Sequence, residues 1–399
     1  MIGEAAGGMA NGRARRVSIA NDPRARALLY QAALAAALIG LAALAWRNAA
    51  ANMQARGVPM GFGFWNETAG FDVNQALIPF SALSTYGRAF WVGLINTLLV
   101  GAISIALATP LGFAVGLARL APNWLLSRLA LIYVELTRNT PLLLQLFFWY
   151  NAVLKTLPPP RQSLGFAGVV FLNNRGLYLP RPTFDDGAGL VVAASALAAA
   201  LAAALAVAGR RRRVATGQWS SDLWSVAALI VGLPMVAYFA AGRPIGVEVA
   251  QLSGFNLRGG TEIHPEFVAL TFGLVTYTAG FIAEIVRAGV LAVPRGQSEA
   301  AAALGLHRGL ALRLVVTPQA LRLITPPLTS QYLNIVKNSS LAVFVGYPDL
   351  VLVFAGTVLN QTHAAMQVMA VTMAVYLAIS LVVSFALNLF NARNALKER

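Results

Sequence analysis

No cysteine occurs in this chain of 399 residues. Disulfides, thiolate metal sites, iron–sulfur clusters and cysteine nucleophiles are therefore absent, and the redox compartment cannot be read from the sequence. Charge is scarce as well: Asp, Glu, Lys and Arg fill 11% of positions, where a soluble domain spends about a quarter. Hydrophobic residues fill 58%, which points away from a water-soluble fold. Lys155, Lys337 and Lys397 are the only lysines, and none follows the glycine of a GxxxxGK[ST] phosphate loop, so the chain is not a P-loop ATPase. His264, His307 and His363 lie far apart without metal-ligand spacing, and no metal site is expected. Neither a GxSxG elbow nor a plausible carboxylate pair is present. Catalysis by this chain is disfavoured, and any use of ATP must come from a partner.

What the chain does have is long apolar runs. A helix needs roughly 20 mostly apolar residues to cross a hydrocarbon core of ~30 Å. Eight stretches qualify: Leu28–Trp46, Phe90–Leu117, Leu129–Leu154, Leu190–Ala208, Leu223–Ala241, Phe267–Val290, Thr317–Val345 and Met366–Phe390. The fold class is therefore an all-α polytopic membrane protein of about eight transmembrane helices. Pro110, Pro141, Pro234 and the Pro326-Pro327 pair fall inside these runs, which is tolerated where neighbouring helices satisfy the freed backbone groups.

The formal net charge of +15 in isolation suggests nucleic acid, but no aromatic-interleaved basic stripe accompanies it. Arg210–Arg213 sits in a short connection between two runs and reads as a topological anchor. Most cations, including the five arginines before the first run, the Arg210–Arg213 run, Arg295, Arg308 and Arg313, fall on one side when the N-terminus is placed inside. The positive-inside rule then puts both termini in the cytoplasm. No nucleic acid partner is expected; the lipid bilayer is.

Composition divides the chain. Residues 1–27 form a basic cytoplasmic leader, and 28–89 a first transmembrane helix and external segment. Residues 155–265 read as an inserted block, in which Pro158-Pro159-Pro160, Asn173-Asn174 and Asp185-Asp186-Gly187 predict irregular external loops around a helical hairpin. What remains, 90–154 and 266–390, is a core of five helices, followed by a cytoplasmic tail at 391–399.

The most informative cytoplasmic segment runs from Pro294 to Gly305. Ser298 is a plausible N-cap, Glu299 puts a negative charge at the positive end of the dipole, four alanines propagate the helix, and Gly305 terminates it in a left-handed conformation. A short helix of such low bulk suits docking into a groove on another protein.

Glu299-Ala300-Ala301, then Gly305, then an aliphatic-x-x-Pro from Val315 to Pro318, resembles the EAA coupling motif of permease subunits of ABC importers. Pro294-x-Gly296-Gln297, Pro318-Gln319-Ala320-x-Arg322, Lys337-Asn338-Ser339-Ser340-Leu341, Asn96-Thr97-Leu98 and Glu135-x-x-Arg138-Asn139-Thr140-Pro141 sharpen the likeness to the polar amino-acid uptake group. Length and insertion resemble most the permeases of general L-amino-acid importers and of their relatives for glutamate, glutamine, aspartate and asparagine. Thr317 departs from the leucine usual before the proline.

The resemblance implies a type I ABC-importer permease core over 90–154 and 266–390, with a coupling loop at 294–318, in a bacterial inner membrane. It implies a second, different permease subunit, two ATPase subunits that carry ATP and Mg, and a periplasmic amino-acid-binding protein; this chain itself binds no cofactor. Glu299, Ala300, Ala301 and Gly305 then form the contact to the ATPase. Two i, i+3 pairs near the cytoplasmic ends of spans, Glu135 with Arg138 and Glu284 with Arg287, read as structural ion pairs or gating groups. Lys337 lies in a span among Gln331, Asn334, Asn338 and Ser339, an unusually polar face that either lines a hydrophilic pathway or hydrogen-bonds between helices. The resemblance adds Thr140 to that pathway. Asn338 stands where some relatives that take cationic amino acids carry aspartate, which fits broad, acidic or amide substrates.

Two other classes compete. An ion-coupled secondary transporter would show inverted repeats and a mid-membrane carboxylate, neither of which is visible. A membrane scaffold would have no use for a coupling helix.

Overall fold

The computed structural model describes residues 23–55, 57, 61–216 and 223–394. Most of the basic leader, residues 217–222 and the end of the tail lie outside these residues.

Helix α1 (Pro23–Ala55) is long and apolar, and none of its apolar window is buried. The segment after it packs Trp65 against Phe90 and Phe354, with ring centroids 5.2 and 5.8 Å away. Helix α2 (Tyr86–Ala118) begins with Thr85 accepting the Arg88 amide and runs unbroken past Pro110. The Thr109 hydroxyl there donates to the Ile105 carbonyl and meets the Tyr332 hydroxyl at 3.0 Å. Helix α3 (Trp124–Asn139) and α4 (Leu142–Phe147), the latter continued by a π-helical stretch to Leu154, replace the single span expected over Leu129–Leu154. The break falls at Thr140, extended at φ −101° and ψ 128° because Pro141 follows it. The Gln145 side chain closes it by donating to the Thr137 and Thr140 carbonyls at 2.8 and 3.0 Å.

The inserted block is not irregular. Strands β1 (Leu164–Phe166), β2 (Val170–Asn173), β3 (Gly176–Leu179) and β4 (Arg181–Phe184) precede helices α5 (Ala188–Thr216) and α6 (Leu223–Ala240). Strands β5 (Ile245–Glu248), β6 (Gln251–Ser253), β7 (Asn256–Arg258) and β8 (Thr261–Ile263) follow. The order β1-β2-β3-β8 in an antiparallel sheet ties the two external segments into one unit. Gly176 makes that pairing possible: at φ 141° it lies so close to the Ile263 carbonyl that a Cβ would collide with it. Tyr178 is buried beneath the sheet, and burial together with its hydrogen bond to Glu262 holds its phenol above the ordinary range. Helix α5 also runs through the arginine run that was expected in a loop, since arginine is a good helix former.

Helix α7 (Pro265–Leu291) is the centre of the core. Gly112 and Gly116 of α2, at small-xxx-small spacing, let the two backbones approach. A Cβ at Gly112 would stand 2.5 Å from Ile282, and one at Gly116 2.8 Å from the Ala283 carbonyl. Beyond α7 come α8 (Arg295–Ala303) and α9 (Arg308–Ala311), then a π-helical turn leading into α10 (Thr317–Asn338). A 3-10 turn, a π-helical stretch (Val351–Val358), α11 (Leu359–Thr362) and α12 (Ala365–Asn394) complete the chain. Ile282, Val286, Val293, Val316, Ala320 and Ile324 form one core cluster that joins α7 to α10 and both ends of the segment between them.

Among the described residues, five helices are long and apolar enough to cross a membrane: 26–55, 86–118, 188–209, 265–291 and 365–389. The stretches 142–154, 224–240 and 351–362 are shorter apolar helices, the last of them not foreseen as a span.

Candidate functional site

The segment between α7 and α10 is built by local rules. Helix α8 starts at Pro294, not at Ser298: the Gln297 amide donates to the Pro294 carbonyl at 3.0 Å, and proline at the N-cap has no amide to waste. Glu299 is thereby the fifth helical residue, a full turn beyond the positive end of the dipole. The C-terminus closes as the sequence predicts. Gly305 is left-handed at φ 75°, its amide reaching the Ala302 carbonyl at 2.9 Å and the Leu306 amide reaching Ala301 at 3.1 Å. This pair of hydrogen bonds satisfies the Ala301 and Ala302 carbonyls and ends α8 at a defined place.

The residues expected at the coupling contact divide by exposure. Glu299, Ala300 and Gly305 are exposed, whereas Ala301 is 2% exposed, packed against its own chain. Gln297, one turn before Ala301, faces the same way and accepts a hydrogen bond from Gln319 Nε2 at 3.0 Å. Leu304 beside Gly305 is 81% exposed, an apolar side chain left uncovered by this chain.

The charged pairs rearrange. Glu284 on α7 takes Arg119 from the end of α2, Arg287 at 2.6 Å and Arg138 of α3 at 3.6 Å. Arg138 also stacks its guanidinium 5.4 Å from the Phe281 ring. The expected Glu135–Arg138 pair is not formed; Glu135 accepts from Asn139 at 3.0 Å instead. Glu284 is thus a hub joining three helices, and Arg119 is a member that helix periodicity could not supply.

The polar face of α10 is partly as expected. Asn334 and Lys337 are exposed, and Gln331 and Asn338 half-buried. Ser339 is fully buried, its hydroxyl donating to the Val336 carbonyl at 2.8 Å, so it belongs to the packing and not to the exposed face. Thr140 lies at the α3–α4 break, half-buried, with its carbonyl bound by Gln145.

A buried polar knot was missed. Asn96 donates to the Gln75 and Pro348 carbonyls at 2.8 and 2.9 Å, and Thr97 accepts the Leu350 amide at 3.0 Å. Asp349, fully buried, accepts the Leu352 amide at 2.8 Å and the Tyr376 hydroxyl at 3.4 Å. Gly93 allows this approach, since a Cβ there would stand 2.9 Å from Leu350 Cα. The knot fastens the chain after α10 to α2. Both Asp349 oxygens have partners, so the carboxylate works as a helix cap here. Among the described residues no group of three or more His, Cys, Asp or Glu could hold a metal ion.

Residues 108–395 match the model of the family described as binding-protein-dependent transport system inner membrane component. YhdX of Escherichia coli (strain K12) is 50% identical over 384 residues, 96% of this chain and 97% of YhdX. The general L-amino acid transport system permease protein AapQ of Rhizobium johnstonii is 48% identical over 95% of this chain and 94% of its own length. The glutamate/glutamine/aspartate/asparagine transport system permease protein BztB of Rhodobacter capsulatus is 39% identical over 95% of this chain and 96% of its own.

Proposed function

This chain belongs to the binding-protein-dependent transport system inner membrane component family, and within it to the amino-acid ABC transporter permeases that include AapQ and BztB; we propose that it receives polar L-amino acids from a periplasmic binding protein and passes them to the cytoplasm. In this reading the termini are cytoplasmic, a second, different permease faces the exposed Asn334 and Lys337, and two ATPases carrying ATP and Mg dock beneath. Glutamate, glutamine, aspartate and asparagine are among the substrates, as the name of BztB suggests.

The observation that carries this reading is α8. It is a short helix with a defined end that turns Glu299, Ala300 and the exposed Leu304 away from its own chain. A partner that closes on ATP can push such a helix as a rigid handle and switch a two-state membrane cavity. Gln331, Asn334, Lys337 and Asn338 offer amide and ammonium groups that suit a carboxylate-bearing amino acid on its path. Glu284 with its three arginines holds α2, α3 and α7 together as that cavity switches.

Reconstitution of the chain with a second permease, the ATPases and the binding protein tests this directly. Each of the four amino acids, added with binding protein, is expected to stimulate ATP hydrolysis; stimulation by none of them sinks the assignment. Asn338→Asp is expected to raise L-arginine uptake relative to L-glutamate uptake by about tenfold, the effect of one favourable charge pairing. An unchanged ratio removes Asn338 from the substrate path.

A further inference from the structure

The covalent route from α8 to α10 is indirect. It passes through the left-handed Gly305, the four-residue α9 and the π-helical turn Leu312–Val316. A displacement of α8 sent along that route must turn at each of these joints before reaching Asn334 and Lys337. A shorter route exists through space. Gln297 lies one turn before the buried Ala301 on α8 and is itself exposed, and Gln319 lies half-buried in the first turn of α10 beside the buried Ala320. Their side-chain amides meet at 3.0 Å, donor Gln319 Nε2 and acceptor Gln297 Oε1. Apolar contact at Ala301 has no preferred direction. A hydrogen bond has one, since it weakens steeply as its angle opens.

We propose that the Gln297–Gln319 pair is a latch that makes α8 and the first turn of α10 move as one body. This rests on the coupling role of α8 given above. The latch bypasses the 304–316 joints and delivers the movement to the helix that carries the polar face. Both glutamines act through α10, so they are positioning residues.

Because this chain has no cysteine, the two introduced thiols are the only ones it carries, and the wild-type importer treated with the same reagent controls for thiols on the partners. The double variant Gln297→Cys/Gln319→Cys is assembled in the full importer in proteoliposomes, and a short, reductively cleavable bifunctional thiol reagent then bridges the two positions. L-Glutamate uptake and ATP hydrolysis are measured together. Unbridged, the amino acid carried per ATP is expected to fall about fivefold, the equilibrium factor set by one neutral hydrogen bond; bridged, it is expected to return to the wild-type ratio, and to fall again on reduction. Gln297→Leu and Gln319→Leu should each reproduce the unbridged value, and the pair together should be no worse than either alone. Arrest of uptake by the bridge would mean that α8 and α10 must move relative to each other, which overturns the latch. A wild-type ratio in the leucine variants overturns it equally. Ala300→Trp separates the two levels: if it abolishes uptake while the leucine variants are normal, the latch is wrong and the coupling role stands. If Ala300→Trp transports normally, the coupling role fails and the latch with it.

Discussion

Replacing Glu284 with alanine is expected to loosen the cytoplasmic end of the helix core and to lower uptake more than any single arginine replacement around it. Three guanidinium groups, from Arg119, Arg138 and Arg287, converge on this one carboxylate. Removing it leaves three like charges facing one another with no counter-charge, and a buried charge that loses its partner costs far more than the pair ever gained. The site is partly solvated, Glu284 being 25% exposed and Arg138 38%, so the expected cost is about 2 kcal/mol and not the value for full burial. The three arginines differ in the same way. Arg119, 11% exposed, should matter most, whereas Arg138, the most exposed and the most distant at 3.6 Å, should cost least. Glu284→Gln keeps an acceptor for one guanidinium and should fall between wild type and alanine. Thermal unfolding of the solubilised complex and uptake in proteoliposomes measure the two effects. A Glu284→Ala complex that melts and transports like wild type would show that the hub does not hold these helices.

That hub also shows where the sequence stopped being legible. Helix periodicity identifies Glu284 with Arg287, because both lie on one face of α7, and it identifies Glu135 with Arg138 by the same rule. The second inference fails because Arg138 turns to Glu284 of α7, and no local spacing encodes which helix comes near. Arg119 and Gln319 were hidden for the same reason: Arg119 meets Glu284 only after α2 and α7 have packed, and Gln319 meets Gln297 only after α8 and α10 have. The strands were hidden differently. Each has only three or four residues, too few for alternation to register, and the pairing of β3 with β8 joins segments separated by the whole α5–α6 hairpin. Local rules succeeded at the C-terminus of α8 and at Pro141, and failed at Ser298, where Pro294 takes the N-cap four residues earlier. The left-handed Gly305 closes α8 as read, and Pro141 interrupts a helix as proline chemistry demands, although the apolar run across it hid the break. Composition carries the membrane fold, and the motif around Glu299 carries the resemblance to the family without any tertiary contact.

Ala300→Trp is the second variant with a large expected effect, and it separates folding from coupling. Ala300 is exposed, about 100° around α8 from the buried Ala301, so the indole projects into open space and should change the chain's stability by no more than about 0.5 kcal/mol. The cost falls on the proposed contact with the ATPase. A helix of small side chains lets a partner's groove approach its backbone closely, and an indole there must either hold the two surfaces apart or force the groove open. Uptake is expected to fall by more than about tenfold, the loss of a central contact in an interface where few residues carry most of the binding energy. Ala301→Trp is the internal contrast. That side chain is buried against the chain leading into α10, so overpacking should destabilise the permease itself by about 2 kcal/mol. Its loss of uptake should therefore come with a lower melting temperature, whereas Ala300→Trp should lose uptake with its melting temperature unmoved. If the two variants behave alike, α8 has a single role in packing, and the division of its two faces between partner and chain is wrong.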